Sequence, residues 1–502
     1  MQVVYCRCCG LDVHKDQVTA CVLVLGENGE RQVRKREFAT HWRELQKLKM
    51  WLYACKVKQV AMESTGVYWK PVWHVLEGHF GLLLANPYHM HNIPGRKTDQ
   101  NDAEWIADLL AHGLLKASFV PPQAIQELRD LTRYRVKLKQ EYNRVHNRVG
   151  KVLEDANIKL GSVATDILGL SGRNIIWALI GGETRPERLA GKALSSLRKK
   201  EAELELALRG DLNAHHRFLL KELMDDLERI ESKLSRMECE IVRRMRPYEK
   251  HLERLNTIPG VDWITAWTIL AELGDDMSKF PDADHAASWA GLVPGSYESA
   301  GKRKSSRARH GNCWLRRALC QSAWAVSHKK DCYLTAHFYR RAARSGIKKA
   351  ILATAHRILI IAFHILRDGT RYQERGGDFY DRQNPEKAQR RLTQRLERLG
   401  WQVVLQPREA QPVEPASKPK RGRPCKCAER GLECRHGQTD EGEADKILMR
   451  VPKPRFAQPP QKPPPASPEH CPKCANWGIP CIHAKNRKPE GCTTGSPEIS
   501  CT

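Results

Sequence analysis

Short apolar runs open the chain. Gly10–Leu25 holds two of them around a polar turn at His14-Lys15-Asp16, which predicts a hairpin. Val57–Met62, ending at Glu63, and Gly81–Ala85, closed by Asn86-Pro87, are two more. Amphipathic stretches near residues 41–54 and 69–78 lie between the runs. Strands alternating with helices predict a mixed α/β sheet.

From about residue 122 to 157 the period lengthens. Leu128, Leu131, Leu138, Tyr142, Val145, Val149 and Val152 recur at helical spacing among many basic positions. Over residues 212–245 the repeat is stricter: Leu220, Leu223, Leu227, Ile230, Leu234, Met237 and Ile241 alternate steps of three and four. That is a coiled-coil seam, which favours a dimer or tetramer, or else a long helix packed within its own chain. Leu255–Leu273 carries Pro259-Gly260 between two helical patterns, either a phosphate-binding helix hairpin or a plain connector. Helices follow near 313–328 and 348–367, and a short helix and strand over 385–406. Beyond about residue 407, Pro, Lys and Arg dominate and periodicity vanishes, which predicts disorder.

Charge narrows the class. The 502 residues hold 84 Lys and Arg against 58 Asp and Glu, a formal charge of +26. Such an excess favours a polyanionic partner, because each cation on a phosphate releases counterions. No basic-then-apolar segment opens the chain, and the run Ala350–Leu366 is broken by His356, Arg357 and His364. Neither a secretory signal nor a membrane span is expected, and the location expected is cytoplasmic and nucleoid-associated, as in a bacterial cell. The 17 cysteines then argue against a disulfide framework. Eight lie beyond residue 420. Cys425, Cys427, Cys434 and His436, then Cys471, Cys474, Cys481 and His483, form two similar sets with the donors of a zinc site. Arg421 and Arg423, in Lys-Arg-Gly-Arg-Pro, resemble a minor-groove hook. Cys6, Cys8 and Cys9 fall on a predicted strand, where packing is the simpler role.

Four acidic residues carry the candidate chemistry. Asp12 lies in GLDVHK, Glu63 ends a strand in AMESTGVYW, and Asp99 and Asp102 open a helix in RKTDQNDAEWIADLL. Three residues apart on a helix, Asp99 and Asp102 face one way. Carboxylates so placed can hold magnesium against a phosphate. Each also has a plainer role, as a helix cap or a turn residue. In GLVPGSYESAGKRKSSRARHGNCWLRRAL, Lys302, Arg303, Lys304, Arg307 and Arg309 crowd one loop, with Arg316 and Arg317 on the next helix and Lys97 beside the acidic motif. Such a cluster suits phosphate clamping.

GLDVHK, MESTGVYW and KTDQNDAEWIA, in this order, resemble the DEDD-type transposases of the insertion-sequence-110 family, over about residues 8–160 and again 250–370. The resemblance implies a RuvC-like, ribonuclease-H-type α/β domain over 1–158, with Asp12, Glu63, Asp99 and Asp102 as its magnesium tetrad. After it come a helical coiled-coil spacer over 159–250 and a mainly helical transposase domain over 251–375. The last of these would carry the nucleophilic Ser299 before Gly301-Lys302, with Ser296, Ser305 and Ser306 as alternatives. The family also implies DNA as substrate and a structured guide RNA encoded with the element. A short helix and strand extension over 376–406 and the basic, cysteine-rich tail over 407–502 lie beyond the resemblance. Rival readings are a RuvC-like nuclease that uses water, and a nucleic-acid-binding protein without catalysis.

Overall fold

A computed structural model describes residues 3–26, 30–64, 66–86, 90, 102–295, 297–299, 302–305, 308 and 310–406, with only the backbone described at 297–299 and 302–305. It contains two compact units. One holds the described residues up to Gln140 and from Arg236 to Gln406, and the other holds Glu141–Ser235.

The first unit begins with a five-stranded mixed sheet. Strands β1 (Arg7–Val13), β2 (Gln17–Leu25) and β3 (Arg31–Ala39) form an antiparallel meander, and β4 (Gln59–Glu63) and β5 (Gly81–Ala85) lie parallel to β1, in the order β3-β2-β1-β4-β5. The predicted hairpin is β1–β2, closed by the His14 amide donating to the Gln17 carbonyl at 2.9 Å. Strand β3 escapes the sequence pattern because it is an edge strand exposed on both faces, with Phe38 its one buried residue. Alternation fails where neither face is covered.

Side chains alternate across the sheet. Cys9, Leu11, Val13, Val60 and Met62 face α1 (Trp42–Ala54) and α2 (Trp69–Leu76). Cys8, Cys21 and Ala61 face α3 (Asp102–Ala111), which lays Ala103, Ile106, Ala107 and Leu110 on them.

After α4 (Gln123–Asp155) and α5 (Ala214–Met245) the first unit continues with α6 (Glu249–Asn256), α7 (Trp263–Leu273), α8 (Ala283–Trp289), α9 (Cys313–Val326), α10 (Tyr333–Ser345) and α11 (Ile347–Asp368) around a helical core. Phe119, which follows a bridge to β5, packs on Phe280 at 4.9 Å and on Trp289 at 5.6 Å between ring centres, and so joins the sheet to this core.

Helix α11 contains the apolar run Ala350–Leu366. It runs three residues beyond the apolar segment at its start and spans 22 residues, long and apolar enough on those grounds to cross a bilayer. Its face of Ala355, Ile358, Leu359, Ala362, Phe363 and Leu366 is instead buried in the helical core. The Pro259-Gly260 turn packs on α9: a Cβ on Gly260 would stand 2.6 Å from the Ser322 carbonyl oxygen. Pro385–Arg398 is helical, but Trp401–Gln406 forms no strand, since no described segment pairs with it.

In the second unit the apolar stripe of α5 packs within the chain. Leu220, Met224 and Leu227 are fully buried against Val149 and Leu153 of α4 and against short helices at Leu170–Ile180 and Glu201–Ala207. The Arg173–Glu231 ion pair seals that core.

Candidate functional site

The sheet brings two of the predicted carboxylates together. The parallel β1–β4 ladder ends at Leu11↔Met62, so the next residues, Asp12 and Glu63, stand abreast at the carboxyl ends of neighbouring strands about 4.8 Å apart. Each lies two residues beyond a position that faces α3, Gly10 and Ala61 respectively, and so shares that face. Ligands of α/β sheets gather at such strand ends.

Helix α3 supplies the third carboxylate. Its C-terminal end sits at the start of β1, where the Val4 amide donates to the Ala111 carbonyl at 2.8 Å. Its N-terminal end lies over Gly10: a Cβ there would be 2.2 Å from the Ala103 carbonyl oxygen. Asp102, the first residue of α3, therefore comes to the edge that holds Asp12 and Glu63. His14 Nε2 lies 3.1 Å from Asp12 Oδ2. Glu104 ties α3 across the sheet, pairing with Arg31 at 2.9 Å and Lys35 at 2.7 Å.

Asp99 and Lys97 lie outside the described residues. Among the described residues no group of three or more His, Cys, Asp and Glu side chains stands close enough to hold a metal ion. By type alone the donors, carboxylate oxygens from two adjacent strand ends and one helix start, are those a hard divalent cation takes. Cys8 and Cys9 are fully buried, as packing residues are; burial pushes Cys8 up to about 12 and Cys9 well above its usual value. Cys6, by contrast, is exposed and precedes the strand.

The predicted serine occupies a hairpin rather than an irregular loop. Strands β6 (Tyr297–Ser299) and β7 (Lys302–Ser305) pair antiparallel, with Ser299↔Lys302 flanking the turn. Ser299 is thus the last strand residue before the hairpin tip, and Lys302, Arg303 and Lys304 form the returning strand. A Pro294↔Ala308 bridge continues the stem. At its foot Gly311 lies so close to Gly291 that a Cβ would be 2.3 Å from the Gly291 nitrogen. Arg316 is half-buried and Arg317 exposed on α9, which starts at this foot. Ser296, Ser306, Arg307 and Arg309 lie outside the described residues, as do Arg421, Arg423 and both predicted zinc sets.

One cluster beside the hairpin was not expected. Glu272, on α7, is fully buried. Arg133 grips it at two points, 2.7 and 2.8 Å, Arg129 Nε lies at 3.2 Å, and Asn312 Nδ2 donates to it at 2.6 Å. Burial lowers the Arg129 guanidinium to about 10, which leaves it charged at neutral pH. Two hints existed in the sequence: a lone acid closing an otherwise apolar helix, and two arginines four apart on α4.

Comparison with known proteins places the chain. Residues 9–158 match the DEDD-type IS110 family profile described as transposase, and residues 252–340 match the IS116/IS110/IS902 transposase family. The chain is 27% identical over 273 residues to a Pseudomonas aeruginosa protein named "Probable family 20 transposase", covering 53% of this chain and 70% of that one. It is 23% identical over 296 residues to the transposase for insertion sequence element IS1111A of Coxiella burnetii, covering 56% and 70%. Over 122 residues it is 37% identical to an insertion element IS110 protein of Streptomyces coelicolor, covering 24% of this chain and 30% of that one. The two matches, in order over residues 9–158 and 252–340, support an insertion-sequence-110 (IS110) family transposase, a family of DNA cleavage and transfer.

Proposed function

We propose that this transposase cuts and rejoins DNA by transferring a strand's phosphate to Ser299, at a site completed by carboxylates that hold magnesium. The observation that carries the reading is the pairing of Asp12 and Glu63 at adjacent parallel strand ends with Asp102 at the start of α3. The same mixed sheet supports a RuvC-like reading of residues 1–158.

In this reading Asp12, Glu63, Asp99 and Asp102 hold the cation, whose chemistry is to draw charge from the scissile phosphate. The Ser299 hydroxyl forms the new bond to phosphorus and gives up its proton. The displaced DNA oxygen leaves as a hydroxyl. Attack by a hydroxyl of the second strand reverses the step, releases the serine and conserves the phosphodiester bond. Position at a hairpin tip suits Ser299 for reaching a duplex. Lys97, Lys302, Arg303, Lys304, Arg307, Arg309, Arg316 and Arg317 clamp phosphates around it. A guide RNA encoded with the element reads sequence by base pairing, which fits a chain of charge +26 in which no base-reading helix was recognised.

The reading is tested by strand cleavage with and without magnesium. Asp12→Asn, Glu63→Gln and Asp102→Asn should each lower the rate by at least about a hundredfold, with duplex binding retained. Cleavage undiminished in chelator, or in all three variants, contradicts it.

A further inference from the structure

We infer that Glu272 is a positioning residue for the serine hairpin, acting through Asn312. This rests on the serine reading above and adds to it the device that aims the nucleophile.

Asn312 ties three elements together. Its Oδ1 accepts from the Trp314 and Leu315 amides at 3.0 and 3.1 Å and so caps α9. Its Nδ2 donates to Glu272 at 2.6 Å, and its own amide donates to the Trp289 carbonyl at 3.1 Å. One residue thus fixes the end of the 291–311 segment, the start of α9 and the buried carboxylate of α7. Glu272 is anchored in turn by Arg129 and Arg133 from α4. Arg133 also lies over the Trp314 ring, 5.7 Å from its centre, and so grips the first turn of α9 a second time.

The lever arm explains why so much charge is buried there. Ser299 lies eight residues from the Gly291–Gly311 foot, up to about 26 Å at strand rise. A tilt of about 5° at the foot then moves the tip by about 2 Å. Misplacement of about 1 Å can cost on the order of a hundredfold in rate. An apolar cluster would fill this space at lower desolvation cost. Four directed contacts to one carboxylate define an angle, which apolar packing does less sharply.

Asn312→Ser separates aiming from folding, because serine still caps a helix but cannot reach Glu272. The full chain would be assayed with RNA transcribed from the sequence flanking its gene, a duplex spanning the element–host junction, and magnesium. We expect Asn312→Ser to bind the duplex within about twofold of the parent and to cleave it about ten- to a hundredfold more slowly in single turnover. Amides of residues 297–305 should exchange faster while those of α11 stay protected. Arg133→Lys, which keeps the charge and loses the two-point grip, should show the same split and serves if the serine variant does not fold. A folded Asn312→Ser or Arg133→Lys that cleaves at the parent rate overturns the inference. Ser299→Ala, run beside them, separates the two ideas. If it is inactive while Asn312→Ser is normal, positioning fails alone; if it cleaves like the parent, the serine reading fails and this inference with it.

Discussion

Gly10 lies directly beneath Ala103, where a Cβ would stand 2.2 Å from the Ala103 carbonyl oxygen and 2.4 Å from the Ala107 nitrogen. Both obstacles are backbone atoms, which cannot swing aside as a side chain can. The contact sets the height of α3 above the sheet two residues before Asp12, and so the distance from Asp102 to the other carboxylates. Gly10→Ala should lift α3, destabilise the unit by at least about 1–3 kcal/mol, and lower cleavage beyond what stability explains. Thermal melting and single-turnover cleavage below the variant's melting temperature check it. An unchanged rate would mean that α3 does not set the site.

Removing the Glu272 carboxylate would leave two arginines, one of them well buried, without their counter-charge. Glu272→Ala should lower stability by about 3–5 kcal/mol, measured by denaturant unfolding. A loss below about 1 kcal/mol would mean that solvent reaches the pair.

The stripe on α5 bears on assembly. Leu227 is fully buried within the Glu141–Ser235 unit. Leu227→Ala should cost about 2–5 kcal/mol while leaving the mass measured by light scattering unchanged at fixed concentration. A fall in mass in a still-folded variant would instead place this residue in a contact between copies.

Acid should weaken the region around α10. Burial, with Arg357 and Arg341 nearby, lowers His337 from 6.5 to about 4, and its Nδ1 lies 2.9 Å from the Tyr380 hydroxyl. The unfolded imidazole takes up a proton below 6.5, whereas the folded one resists until about 4. This part of the stability is therefore complete above 6.5 and is lost as pH falls through that window. His337→Gln should flatten the melting-temperature profile between those values. A profile as steep as the parent's would assign the acid sensitivity to other groups.

What was legible in the sequence follows from where the signal resides. The β1–β2 hairpin, β4, β5 and the long helices carry apolar periods because each buries a definite face. Asp12 and Glu63 could be placed at strand ends for the same reason. Strand β3 could not be found, since an edge exposed on both sides keeps no alternation. The role of Gly10 depends on a helix ninety residues away, and the Glu272 cluster on two separate helices and the cap of a third. Such sites are set by tertiary contact, of which local period holds no record. The β6–β7 hairpin was hidden because its strands are short and rich in Ser and Lys.

The proposed reaction passes through a covalent link between Ser299 and DNA. The direct measurement mixes the full chain, RNA transcribed from its flanking sequence, junction DNA and magnesium, then denatures the mixture and looks for DNA that migrates with protein. The account predicts a linked species that disappears in Ser299→Ala and in Asp12→Asn. Clean cleavage with no linked species, or a linked species that persists in Ser299→Ala, would contradict it.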